Sequence, residues 1–215
     1  MGPRKFSANE LSAISGQTIG HYQDRARDFW EGTFDHDVSQ NVETLLHFLA
    51  VPAPATILDL GCGPGRDLAT FRDLGHVPVG LDGSEAFCRM AKVHAGCEVL
   101  HQDFLALDLP PAAFDGIFAN ASLFHIPMCE FSRVLGELWQ ALKPGGVLFA
   151  SNPRGPNIEQ INGQRYGAYY DLTQWRILLE RAGFRELTHY YRPPGRPRDE
   201  QPWLASAWRK PEQNL

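Results

Sequence analysis

Three carboxylates and a run of glycines are spaced as a nucleotide-like ligand would need them. Asp59-Leu60-Gly61-Cys62-Gly63-Pro64-Gly65 closes the apolar run Thr56–Leu60 and opens a helical stretch. Glycines at alternate positions let the backbone turn tightly and approach a ligand with no β-carbon in the way. Asp82 ends the next apolar run, 17 positions after Gly65, where an acidic side chain accepts hydrogen bonds from ribose hydroxyls. Asp103-Phe104 follows a third run. It sets a carboxylate that can accept from an exocyclic amine beside a ring that can cover a flat face. Any one of these pieces also occurs in ordinary turns; their combined spacing points to a ligand.

Four segments offer groups for a second reactant. In Phe29-Trp30-Glu31-Gly32-Thr33-Phe34-Asp35-His36-Asp37, aromatic rings can cover a cation. His36 lies between two carboxylates that favour its charged form, which makes it a base or an anchor. The plainer alternative is that Asp37 or Ser39 caps the following helix while His36 is solvated. Ser122-Leu123-Phe124-His125 supplies a second imidazole, read either as a general base or as a structural histidine. Ser151 to Tyr170 is rich in Asn, Gly, Arg and Tyr and reads as an irregular substrate lid. Within it, Arg154 and Arg165 can pair with a carboxylate or phosphate, beside Tyr166 and Tyr169. Tyr190-Tyr191-Arg192 ends a late apolar run, and Arg192 to Arg198 is a short basic, Pro-rich turn.

The elements that must position these groups follow from periodicity. Residues 1–20 are polar and read as a loose arm, and His21–Trp30 and Val38–Phe48 have helical spacing. Strands are predicted over Thr56–Leu60, Val77–Leu81, Cys97–Leu100, Gly116–Asn120, Val147–Ser151, Phe184–Tyr191 and Leu204–Arg209. Helices are predicted after Gly65 to about Leu74, over Glu85–His94, Phe131–Leu142 and Leu172–Ala182. Alternating strands and helices predict an α/β fold with a doubly wound, mostly parallel sheet. Ligands then belong at the strand C-termini. Residues 1–50 are expected to form an arm and helical cap on the domain formed by 51–215.

Composition removes several function classes. The chain has 215 residues, 43% hydrophobic and 21% charged, with a formal net charge of −5. It lacks the basic footprint of a nucleic-acid binder and the polybasic patch of a membrane binder. No run reaches the ~20 apolar residues of a membrane span, and Met1–Phe6 has no apolar signal segment. Cys62, Cys88, Cys97 and Cys129 form no metal-ligand pair, so no metal site is expected. Four reduced thiols in the cytoplasm is the reading.

The glycine segment, Ile57 to Gly65, resembles the first motif of the class I, Rossmann-like S-adenosylmethionine-dependent methyltransferases. Asp82, Asp103 and Phe114-Asp115-Gly116-Ile117-Phe118-Ala119-Asn120 stand where later family motifs fall. Leu142-Lys143-Pro144-Gly145-Gly146-Val147-Leu148 resembles the turn before the family's fifth strand, and Ala182-Gly183-Phe184 the turn into its sixth. The resemblance covers about residues 55–209. It implies a seven-stranded sheet with the last strand antiparallel, binding S-adenosylmethionine. It also implies that Asp59, Gly61, Cys62 and Gly63 line the methionine end and Asp82-Gly83 the ribose. Asp103 and Phe104 would take the adenine, with Asn120 and Ser122 beneath the cofactor. Tyr22 and Trp30 would reach the cofactor from the cap, although core packing explains Tyr22 equally well. The family's Asn-Pro-Pro-Tyr signature would fall at 120–123, where this chain reads Asn-Ala-Ser-Leu. That departure argues against the branch that methylates adenine or glutamine amides.

The function expected is methyl transfer to a small polar molecule, with an anionic group on it if Arg154 and Arg165 are used. His36 and His125 are the candidate bases, and Asp37, Arg154, Arg165, Tyr166 and Tyr169 the candidate acceptor contacts. The partner is a small molecule, without nucleic acid or membrane, and the chain a monomer or homodimer. Two alternatives stand beside this. One is a protein that binds S-adenosylmethionine or its demethylated product without catalysis. The other is a nucleotide-dependent oxidoreductase, which the Gly-Cys-Gly-Pro-Gly spacing disfavours, since it departs from Gly-x-Gly-x-x-Gly.

Overall fold

The computed structural model describes residues 4–212. Three helices come first: α1 (Ala8–Asp24), α2 (Ala26–Thr33) and α3 (Ser39–Phe48). The polar segment expected to be a loose arm is therefore mostly helix. Ser7 and Glu10 explain this: Ser7 Oγ accepts from the Glu10 amide while the Ser7 amide donates to Glu10 Oε2 at 2.8 Å. This reciprocal capping box satisfies donors that a helix start leaves open. The apolar stripe of α1 is thin, with only Ile14 and Thr18 buried, so periodicity alone gave little sign of it.

The remaining chain alternates: β1 (Thr56–Leu60), α4 (Arg66–Asp73), β2 (Val77–Asp82), α5 (Glu85–Ala95), β3 (Glu98–His101), β4 (Phe114–Asn120), α6 (Phe131–Ala141) and β5 (Leu142–Pro153). Then come the hairpin β6 (Ile158–Asn162) and β7 (Arg165–Tyr169), α7 (Leu172–Arg181), β8 (Arg185–Arg192) and β9 (Trp203–Arg209). Seven strands form one sheet in the order β3-β2-β1-β4-β5-β9-β8, with β9 antiparallel to both neighbours. The expected α/β sheet with its antiparallel last strand is present. The stretch expected to be an irregular lid is instead the β6–β7 hairpin, a two-stranded sheet of its own. Its Asn162-Gly163-Gln164 turn, with Gly163 at a φ of 64°, is a hairpin signal that the surrounding tyrosines and asparagines obscured.

Strand alternation sorts the core onto two faces. Leu58, Leu60, Ile117 and Leu148 pack with Phe131, Leu135, Leu138 and Trp175 from α6 and α7. Ile57, Phe118, Val147 and Phe149 pack with Val42 and Leu45 of α3 and Phe71 of α4. The Phe118 ring stacks on Phe149 and meets Phe71 edge-on, each at 5.1 Å between centroids. Strand order turns between β1 and β4, so chain paths part at their C-terminal ends and leave a crevice. Among the described residues, no helix is long and apolar enough to cross a membrane.

Candidate active site

The glycine loop is fixed from below by the neighbouring strand. Gly61 and Cys62 amides both donate to Leu81 O, at 2.7 and 3.0 Å. This folds the chain back at once and puts Gly61 and Gly63 at φ of 79° and 52°. A β-carbon on Gly61 would lie 2.5 Å from Ser122 Cβ, so only glycine fits between the strand end and β4. Asp82 ties the other side: Oδ2 accepts from the Gly63 amide at 3.0 Å and Oδ1 from the Ser84 amide at 2.8 Å. Burial outweighs these donors and pushes its carboxyl up to about 6.

Above this edge opens a cavity of about 640 Å³. One wall is aromatic: Tyr22, Phe29 and Phe87 meet with centroids 5.2–5.9 Å apart. Trp30 joins the lining, its ring 4.8 Å from that of His94. Asp103 lines another wall beside Phe104, its Oδ2 accepting from Ser15 Oγ at 2.5 Å and its Oδ1 from the Leu105 amide at 2.9 Å. The floor is a polar chain linking distant segments. Tyr190 Oη donates to Asn41 Oδ1 (2.8 Å), Asn41 Nδ2 to Asn120 Oδ1 (3.0 Å), and Asn120 Nδ2 to Asp67 Oδ2 (3.3 Å). Arg66 grips Asp67 with two nitrogens, at 2.7 and 3.1 Å, and donates to Thr33 O at 2.8 Å. This chain holds α2 and α3 against the strand ends.

At the far end stands His125. Its Nδ1 is 2.7 Å from Tyr166 O. A carbonyl only accepts, so Nδ1 carries the hydrogen and Nε2 accepts from Tyr22 Oη at 2.9 Å. Burial pushes this imidazole down to about 4, keeping it neutral. Burial also raises the Tyr22 hydroxyl. Arg165 lies 5.9 Å from the Tyr22 ring centre.

The candidate residues thus divide. Tyr22, Trp30, Gly61, Cys62, Gly63, Asp82, Gly83, Asp103, Phe104, Asn120, Ser122, His125, Arg165 and the rim pair His36 and Asp37 all line the cavity. Four do not. Asp59 is buried beneath the loop with Oδ2 unpartnered; burial, then the nearby Asp67, pushes its carboxyl well above the usual range. Arg154 is turned away, donating to Gln201 O at 2.7 Å and to Arg198 O. Tyr166 is buried with its hydroxyl on Glu159, and Tyr169 borders only a smaller neighbouring cavity. His125, read either as a general base or as a structural histidine, has both nitrogens engaged. Asp37 accepts from the Ser39 amide at 2.9 Å, but the residue that caps α3 is Val38, with no side-chain cap bond, and His36 is exposed.

Ser15, Ile19, Asn41, Arg66, Asp67, Ser84 and Phe87 also line the cavity and escaped sequence reasoning, whereas Phe29 belongs to the aromatic segment expected to cover a cation. Arg66-Asp67 directly follows the last glycine and was within reach of that reading. Ser15 and Asn41 carry no local signal, because their partners are 88 and 79 residues away.

Residues 57–146 match the profile of a family described as a methyltransferase domain. The fold of Burkholderia thailandensis 1,6-didemethyltoxoflavin-N1-methyltransferase, solved with bound 1,6-didemethyltoxoflavin and S-adenosylhomocysteine, is shared across the chain. Its TM-score is 0.77 at 22% identity, covering 99% of this chain and 94% of that one. Over residues 57–146 the chain is thus similar to methyltransferase domains. Curated relatives of the chain include a sterol 24-C-methyltransferase of Eremothecium gossypii, 32% identical over 67% of this chain and 41% of the relative. A trans-aconitate 2-methyltransferase of an Acidovorax species is 31% identical over 74% and 62%. The chain therefore spans about two fifths to three fifths of these relatives.

The cavity lining fits S-adenosylmethionine, the cofactor that the family resemblance implies. Ser122 Oγ is buried on its wall with no partner, and buried hydroxyls are ordinarily paired. The loop edge presents glycines without side chains, and carboxylates stand at Asp82 and Asp103. Arg66, the one arginine adjoining the loop, is neutralised by Asp67. That donor set suits a cationic sulfonium nucleoside and leaves a dinucleotide's diphosphate without a counter-charge.

Proposed function

We propose that the protein transfers a methyl group from S-adenosylmethionine to a small polar, anionic acceptor. Charge distribution along the cavity carries this reading. Asp67, Asp82 and Asp103 border the glycine-loop half. Arg165 and Arg192 line the same cavity, and among the described residues neither has a carboxylate within 4.0 Å. Arg192 donates only to the Asp37 carbonyl, at 2.8 Å. Arg192 lies near enough to Asp37 to help hold its carboxyl down, whereas Arg165 is a half-buried cation without a counter-ion among the described residues and favours an anionic ligand.

When bound, S-adenosylmethionine supplies an electrophilic methyl group on a sulfonium, which departs as a neutral thioether. The chain's own part is then chiefly placement of the nucleophile. Asp82 and Asp103 accept hydrogen bonds from the nucleoside, and the Tyr22–Phe29–Phe87 wall offers ring faces to the positive sulfur. Neutral His125 orients Tyr22 through the Nε2 bond, and α1 and α2 exclude water from above. One relative's named acceptor, trans-aconitate, is a carboxylate, while others are named for sterols; Arg165, without a carboxylate partner among the described residues, favours the carboxylate class. The four free cysteines fit the reducing cytoplasm, and a monomer or homodimer without nucleic acid or membrane partners is part of this proposal.

The test is incubation with S-adenosylmethionine and separate panels of small carboxylates and sterols, read by mass spectrometry. Methylated carboxylates are the expected product. Methylation of sterols alone would overturn the acceptor class.

A further inference from the structure

Beside the main cavity lies a second, of about 230 Å³. The two share Phe124, His125, Arg165 and Trp203 as lining, so they adjoin at the end away from the glycine loop. Phe124, Tyr169 and Trp203 wall this annex with rings, Pro153 adds an apolar flat, and the β6–β7 hairpin closes it. Phe124 and Tyr169 centroids are 6.2 Å apart. An apolar cavity of about 150 Å³ holds benzene; this one has room for one substituted ring.

The annex's polar groups are engaged among themselves, with one exception. Tyr169 Oη accepts from Asn162 Nδ2 at 2.9 Å, Tyr166 Oη donates to Glu159, and both His125 nitrogens are occupied. Arg165 makes only a long 3.5 Å contact to Tyr22 Oη and has no carboxylate partner among the described residues. We propose that this annex is the acceptor site, and that it takes a planar single-ring aromatic anion whose charged group pairs with Arg165. This rests on the methyltransferase reading and narrows its acceptor. An acceptor that arrives ionised also needs no base, which agrees with a junction whose imidazole has no free lone pair.

The experiment titrates the protein with benzoate, benzamide and cyclohexanecarboxylate, with and without S-adenosylhomocysteine, followed by NMR. Benzoate is expected to bind about tenfold or more tighter than either control, with ring-proton NOEs to Phe124 and Tyr169. Arg165→Met should lose about tenfold in benzoate affinity, and Arg165→Lys should recover part of it. Benzoate binding no tighter than benzamide, indifferent to Arg165→Met, or with NOEs elsewhere would overturn the proposal. The S-adenosylhomocysteine arm separates the two readings. If the nucleoside binds and benzoate does not, the annex assignment fails alone. If benzoate binds as described and the nucleoside does not, the methyltransferase reading fails alone.

Discussion

The two halves of the cavity are built by opposite means. The glycine-loop half is local: Asp82 holds Gly63, 19 residues before it, and Ser84, two residues after it. The acceptor half is assembled from afar. Tyr22 meets His125 across 103 residues, Arg165 reaches Tyr22 across 143, and Tyr190 reaches Asn41 across 149. The local half rests on backbone turns that tolerate no side chain. The assembled half rests on side-chain hydrogen bonds between the N-terminal helices, the hairpin and the late strands. Under the proposed function, the first kind of construction would fix the cofactor, and the second would leave acceptor choice to elements that packing alone brings together.

That contrast is open to attack from both sides. The largest effect is expected at Gly61→Ala, which forces a β-carbon against Ser122 at a positive φ. It should cost about 2–4 kcal/mol of stability and abolish nucleoside binding, read by denaturant melts and calorimetry. Asp82→Ala should weaken nucleoside binding by about 1–3 kcal/mol, and unchanged affinity would remove Asp82 from the site.

Asp82 also gives a pH signature. Its folded value of about 6 lies above the unfolded carboxylate near 3.9, so the folded state holds its proton more tightly. Its contribution to stability therefore falls as pH rises from about 4 through 6. A ribose hydroxyl needs the ionised acceptor, so nucleoside affinity should rise across that window, about tenfold from pH 5 to pH 8. Asp82→Asn should flatten that calorimetric profile.

Smaller effects sharpen the acceptor half. Tyr190→Phe should cost about 1 kcal/mol of stability and loosen α3 from the strand ends, seen as faster amide exchange in α3. Arg165→Ala should raise the Michaelis constant for the acceptor several-fold with cofactor affinity intact. Arg154→Ala should leave both unchanged, because that guanidinium is tied to backbone carbonyls. Equal effects of the two arginine variants would contradict the division drawn here.

Legibility in the sequence follows the same line. Thr56–Leu60, the glycine loop and Asp82 were readable because strand, turn and helix succeed one another without interruption. The seven sheet strands were readable from short apolar runs, and the antiparallel last strand came with the family resemblance. The α1 helix was missed although Ser7-x-x-Glu10 announces it, because its apolar stripe is thin. Arg154 and Arg165 looked alike as lid arginines. Only pairing across the hairpin and the 198–201 turn separates them, and that pairing leaves no mark on local spacing. His125 was visible as an imidazole, but the two bonds that occupy it come from Tyr22 and Tyr166, on elements far along the chain in both directions.

The central claim is that this crevice holds a sulfonium nucleoside. Calorimetric titration of the purified protein with S-adenosylhomocysteine and, separately, NAD tests it most directly. Micromolar binding of S-adenosylhomocysteine with none of NAD is the predicted result; NAD binding, or a folded protein that binds neither, would contradict it.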